Sequence, residues 1–282
     1  MKTSLETPLL PSSFRTQVLS PQCLRVYYGN DSLQYGDIRI PQGSTSAPLI
    51  VVVHGGAWLK EYTLDYMNPF CKALTKAGFI TWNLEYRRIG DEGGGYPGTF
   101  TDIASAMDCI PTLTTLEHLK GRIDFNAIIL LGHSAGGHLA VRAGSRSHIP
   151  QNHILGAANP LPIRGVVSLA GVLDLQEAFE SGLAEGAVRQ LLAPYAPDAL
   201  YPVVSPFAMV PADVPVMIIH GIDDMEVPLS ASKAYAQKVR ALNGAITCTT
   251  VHNTDHFSLT DPYGPAWKEI LHAVTTLTGK GT

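Results

Sequence analysis

The sequence predicts an α/β protein with a mainly parallel central sheet and helices on both faces, and three observations predict it. From Leu49 onward, short apolar runs rich in β-branched residues alternate with longer helix-like segments. The chemically suggestive motifs all fall directly after apolar runs, at the carboxyl ends where a parallel sheet gathers its loops. A chain of 282 residues with 45% hydrophobic content can bury a core large enough for one such domain, spanning 1–282.

Ahead of the alternation, residues 1–20 are expected to pack loosely. Residues 25–28 and 37–40 are strand-like, and Gly29, Asn30 and Asp31 between them suit an antiparallel hairpin. The pattern then reads strand 49–53, helix about 66–77, strand 79–84, helix about 100–119, strand 126–131, helix about 135–147 and strand 164–169. Strands 215–219 and 246–251 flank a helix near 230–242, and a last helix covers about 264–278. The stretch from about 174 to 213 carries Pro194, Pro197, Pro202, Pro206 and Pro211, which suits a small cap-like insertion.

A net charge of -4 and a pI near 6.2 give no electrostatic case for nucleic acid or an anionic membrane. The early Glu6 and the lack of a long apolar run argue against a secretory signal or a bilayer span, so a cytoplasmic protein is expected. Cys23, Cys71, Cys109 and Cys248 lack C-x-x-C spacing and are expected to be free thiols. There is no H-E-x-x-H and no clustered ligand set, so no metal is expected. Gly93, Gly94 and Gly95 do not sit between a strand and a helix as a dinucleotide site requires, so no cofactor is expected. The partner expected is a small-molecule ester or amide, handled by a monomer or homodimer.

The reacting groups are read from four segments. Gly132-His133-Ser134-Ala135-Gly136 places Ser134 on a strand-to-helix turn, where a strained backbone lifts the hydroxyl outward. The first N–H groups of the following helix then face any anion forming beside it. His54-Gly55-Gly56-Ala57-Trp58 follows another strand and leaves amides unobstructed, as a loop facing an oxyanion must. His220-Gly221-Ile222-Asp223-Asp224 precedes Val227-Pro228, and this spacing favours Asp224 as the acid, with Asp223 as fallback. Asp174 is a third candidate that reads more naturally as a helix cap. Near the C-terminus, His256 follows the last strand and is the expected base.

His54 and His133 are read as supports of their loops, and His138, one helical turn past Ser134, as a packing residue. Trp58 and Tyr62 are candidate substrate contacts, although Trp58 could equally pack its loop onto the sheet. Asp102 reads as a helix-terminal charge or an anchor for the glycine loop.

In the order Ser134, Asp224, His256, these residues resemble the α/β-hydrolase fold, in particular its esterase/lipase members with an H-G-G-x-W motif. That branch includes kynurenine formamidases (arylformamidases) and small carboxylesterases. The resemblance runs over about residues 37–278, with Ala57 departing from the H-G-G-G of the hormone-sensitive-lipase branch and residues 83–88 similar to a structural strand-end segment. It implies Gly55, Gly56 and Ala135 amides as oxyanion donors, and a metal-free acyl-enzyme reaction on a small carboxylic ester or aryl-formamide. The same fold also hosts non-hydrolytic eliminations and cyclisations, and ligand receptors.

Overall fold

The computed structural model describes residues 15–43, 46–157, 159–210 and 212–280. Its nine strands are β1 (Arg15–Ser20), β2 (Cys23–Tyr27), β3 (Tyr35–Arg39), β4 (Ala47–Val53), β5 (Ile80–Leu84), β6 (Ile123–His133), β7 (Gly165–Leu169), β8 (Val216–Gly221) and β9 (Ile246–Val251). They form one sheet in the order β1-β2-β3-β5-β4-β6-β7-β8-β9. Neighbours from β5 to β9 pair in parallel, and β1, β2 and β3 extend the sheet antiparallel.

β4 explains why the central strands read as unbroken apolar runs. Leu49, Val51 and Val53 join the core on one face while Ile50 and Val52 join the core on the other. A strand buried on both sides has no polar face to alternate. On the first face lie α2 (Gly98–Leu113), α3 (Ala135–Gly144) and α7 (Leu229–Ala241), contributing Phe100, Leu139 and Tyr235. Opposite lie α1 (Asn68–Lys76) and α8 (Trp267–Thr278), contributing Phe70, Leu74, Ile270 and Val274. Each such side chain contributes about 1.5–3 kcal/mol by leaving water.

Between β7 and β8 the proline-rich stretch folds into α4 (Leu175–Glu180), α5 (Leu183–Leu192) and α6 (Pro197–Val204). At the start of α5 the backbone is left-handed at Gly182, Ala184, Glu185 and Gly186.

Several boundaries differ from the sequence reading: β6 begins at Ile123 rather than 126, α3 ends at Gly144 rather than near 147, α8 begins at Trp267 rather than near 264, and two further differences have a visible cause. Residues 15–20, expected to be loose, form β1, an edge strand whose six residues are all exposed; with nothing buried, no alternation marked it. Residues 1–14 of that expected loose segment lie outside the described residues. α2 stops at Leu113, not near 119, because Thr114 and Thr115 hydroxyls bond the Pro111 and Thr112 carbonyls and compete with the helix. Among the described residues, no helix is long and apolar enough to cross a membrane.

Candidate active site

Sheet register sets the site. β4 and β6 are parallel neighbours with Val53 opposite Gly132, so the loop after β4 and the turn after β6 leave the sheet side by side. Ser134 occupies that turn with φ 56° and ψ −121°, a strained conformation for an L-residue. A Cβ at Gly132 would lie 2.1 Å from the Gly136 carbonyl oxygen, and one at Gly136 would lie 2.1 Å from that of Val53. A turn this tight therefore needs glycine on both sides of the serine. α3 begins at Ala135, whose N–H has no acceptor within the helix. Ser134 lines a cavity of about 710 Å³ together with Gly56, Tyr62, Tyr66, His133 and His256.

Asp224 is fixed from four directions. Its Oδ1 accepts the Glu226 and Val227 N–H groups at 2.9 Å each, and its Oδ2 lies 2.7 Å from His256 Nδ1 and 3.2 Å from His220 Nε2. Burial opposes ionisation of this carboxyl, but the hydrogen bonds from His220, His256 and Val227 outweigh it and hold the group well below the usual carboxylate range. His256 is buried, with its ring in edge contact with Phe257. Asp223 is exposed and instead donates its N–H to the Thr254 carbonyl, holding the chain that leads into His256. Asp174 caps α4 by accepting from the Gln176 and Glu177 N–H groups.

The loop after β4 turns through left-handed backbone at Gly56, Ala57 and Trp58, with φ of 96°, 52° and 56°. Gly55 departs from the expected donor set. Its N–H donates to the Tyr66 hydroxyl, so this amide is already engaged, whereas those of Gly56 and Ala57 have no protein acceptor among the described residues. The Trp58 indole is fully buried and donates Nε1–H to His138 Nδ1 at 3.1 Å, the packing role that was the alternative to a substrate contact. That bond and the edge-on ring contact pack the loop against α3, while Trp58 also lines the cavity that Ser134 and His256 share. Tyr62, at 43% exposure, does face the cavity.

The remaining polar residues support these loops. His54 bonds the Gly55 carbonyl at 2.8 Å and Glu85 at 2.9 Å, while His138 Nε2 donates to the Val204 carbonyl. Burial drops the His138 pKa to about 3, so the ring is neutral. Buried Asp102 accepts from Arg87 and Gln34, anchoring the segment after β5.

Two contributors were not singled out from the sequence. His220 stands four residues before Asp224, and its place in the H-G-x-x-D segment was the available signal. Tyr66 had none, because it reaches the site only when the chain after β4 folds back before α1. The Tyr66 hydroxyl lies 3.0 Å from His133 Nδ1, and His133 Nε2 lies 2.9 Å from the His256 carbonyl oxygen. Among the described residues, no group of three or more His, Cys, Asp or Glu side chains could hold a metal ion.

A mainly parallel sheet, covered on both faces and carrying serine, acid and histidine loops at its carboxyl edge, defines an α/β-hydrolase fold. The chain belongs to the BD-FAE family, whose profile matches residues 37–239. It is similar to Esterase LipC of Mycobacterium tuberculosis, 25% identical over 229 residues that cover 78% of this chain and 55% of the relative. It is also similar to Carboxylesterase 20 of Arabidopsis thaliana, 27% identical, with 57% of this chain and 46% of the relative covered. The chain thus spans about half the length of these curated relatives. Among solved structures, a truncated carbohydrate esterase from gut microbiota aligns with a TM-score of 0.76 and 22% identity, covering 95% of this chain and 98% of that one. Esterase B from Lactobacillus rhamnosis aligns with a TM-score of 0.74 and 19% identity over 96% of this chain and 88% of that one. These structural likenesses share the fold.

Proposed function

We propose that the chain is a serine esterase acting on small carboxylic esters through an acyl-enzyme. The observation that carries this reading is the 2.7 Å contact between His256 Nδ1 and the buried Asp224 carboxylate, in a cavity that Ser134 also lines. With Nδ1–H donated to Asp224, His256 Nε2 is the nitrogen free to take the Ser134 proton. Ser134 Oγ attacks the ester carbonyl, and negative charge develops on the carbonyl oxygen beside the Gly56 and Ala135 amides, with Ala57 next in the loop. His256 returns the proton to the leaving alkoxide, the alcohol departs, and water attacks the acyl-serine by the same base. The esterase relatives support this assignment.

Aromatic and aliphatic residues, including Tyr62, Leu59, Val172 and Phe257, line the cavity, which supports a small neutral ester. An aryl-formamide is the competing substrate; of the aromatic residues lining the cavity Trp58 is fully buried, which leaves Tyr62 and Phe257 as the exposed rings an aryl group would meet. The four free cysteines support a reducing compartment, the cytoplasm.

A fluorophosphonate probe followed by mass mapping tests the nucleophile, with a single adduct on Ser134 expected. Labelling elsewhere overturns the assignment. p-Nitrophenyl acetate should be hydrolysed at least tenfold more efficiently than N-formylkynurenine, and both activities should vanish in Ser134→Ala. The reverse ranking would establish a formamidase. Stoichiometric labelling without hydrolysis of either compound would point to elimination or cyclisation chemistry.

A further inference from the structure

Gly55, Tyr66, His133 and His256 form a hydrogen-bonded chain in which every donor can be assigned. The His256 main-chain oxygen can only accept, so His133 Nε2 must carry a proton and donate to it. Burial is the main cause that brings the His133 pKa down to about 3, so the ring is neutral and its Nδ1 is a bare acceptor. The Tyr66 hydroxyl therefore spends its one proton on Nδ1, and its lone pair accepts the Gly55 N–H. Proton direction runs one way from the loop after β4 to the loop after β9. The hydroxyl also sits beside the nucleophile: an ideal Cβ on Gly55 would lie 3.0 Å from Tyr66 Oη and 2.9 Å from Ser134 Cβ.

We infer that Tyr66 and His133 are positioning residues that lock the oxyanion loop and the base-bearing loop into one register across Ser134. This rests on reading Ser134 and His256 as nucleophile and base. Gly55 serves as the anchor of the chain, and turning its amide toward Tyr66 leaves the following amides to meet the oxyanion. His133 closes the other end by holding the main chain of His256, with the two rings 4.6 Å apart, while Asp224 holds the His256 side chain. Without the Tyr66 hydroxyl the buried His133 Nδ1 lone pair loses its donor and the Gly55 N–H its acceptor, so the two loops are no longer joined.

Steady-state kinetics on p-nitrophenyl acetate, with Tyr66→Phe, His133→Gln and the double variant, test the relay. Each single change should lower kcat by about 10- to 100-fold, the penalty of a small misplacement of reacting groups, with KM within threefold. Because the two residues act as one device, the double variant should lose no more than the worse single variant. Multiplying losses, or a kcat unchanged in Tyr66→Phe, overturns the relay. A wild type that neither hydrolyses the ester nor takes the probe at Ser134 overturns the esterase reading instead. Should the variants fold poorly, nitrogen-15 spectra of the wild type decide: His133 should hold the Nε2–H tautomer from pH 5 to 9. A protonated Nδ1, or titration near 6.5, refutes the chain.

Discussion

Replacing Asp224 by Asn keeps the side-chain volume and removes the charge, and the surrounding hydrogen bonds determine the consequence. Asp224 accepts on every side: two backbone N–H groups at Oδ1, and His256 with His220 at Oδ2. An amide has one oxygen and one NH2 group. If the oxygen keeps the Glu226 and Val227 N–H groups, the NH2 faces His256 Nδ1, which must then present a lone pair and move its proton to Nε2. In the proposed mechanism that is the nitrogen that accepts the Ser134 proton, so the base would be blocked. If the amide flips, its NH2 faces two backbone N–H groups, leaving them without an acceptor at about 1–3 kcal/mol each. The first arrangement wins, and loss of the correct tautomer costs about 10⁴-fold in kcat, or roughly 5.5 kcal/mol of barrier. Initial rates on p-nitrophenyl acetate, with melting curves to confirm folding, measure it. Asp223→Asn should stay within threefold of wild type, because that side chain is exposed. An Asp224→Asn enzyme within tenfold of wild type, or a larger loss at Asp223, would refute the reasoning.

Trp58→Phe should leave KM unchanged and lower unfolding stability by about 1–3 kcal/mol, because it removes the indole donor of buried His138; a selective rise in KM in denaturant-checked protein would restore Trp58 as a substrate contact. Glu185 and Glu226 line the cavity and, among the described residues, no lysine or arginine does, so an ester bearing a free carboxylate should be a poorer substrate than its neutral isostere. At about 1 kcal/mol per screened charge, kcat/KM should fall roughly fivefold per carboxylate, and the gap should shrink in 0.5 M salt; equal efficiencies at low salt would count against it. The depressed pKa of Asp224 predicts an acid limb: its stabilisation is complete above the unfolded value of about 3.9 and is lost as pH falls through the lower folded value. The melting-temperature difference between wild type and Asp224→Asn should therefore narrow below pH 4, and a pH-independent difference would show that the charge does not carry it.

Most of the architecture was legible because the chain keeps local and global signals in agreement. Strands buried on both faces wrote continuous apolar runs at β4, β6, β7 and β8, and Gly132, Ser134 and Gly136 marked the turn whose backbone contacts admit no side chain. The edge strand β1 was illegible for the converse reason: its six exposed residues leave no burial pattern in the side chains.

By itself the sequence determined the layered α/β plan, the order in which Ser134, Asp224 and His256 occur, and their placement after strands, because periodicity and turn chemistry are local properties. The tertiary structure decided what each side chain touches. It turned Asp224 rather than Asp223 toward His256, spent the Gly55 amide on Tyr66, and buried Trp58 against His138. It also brought His220 to Asp224 and Tyr66 to His133, the neighbour of Ser134. Such choices depend on which loops the parallel register of β4, β6 and β8 sets side by side, as in the contacts of His133 with Tyr66, 67 positions away, and with His256, 123 positions away, which no local pattern encodes.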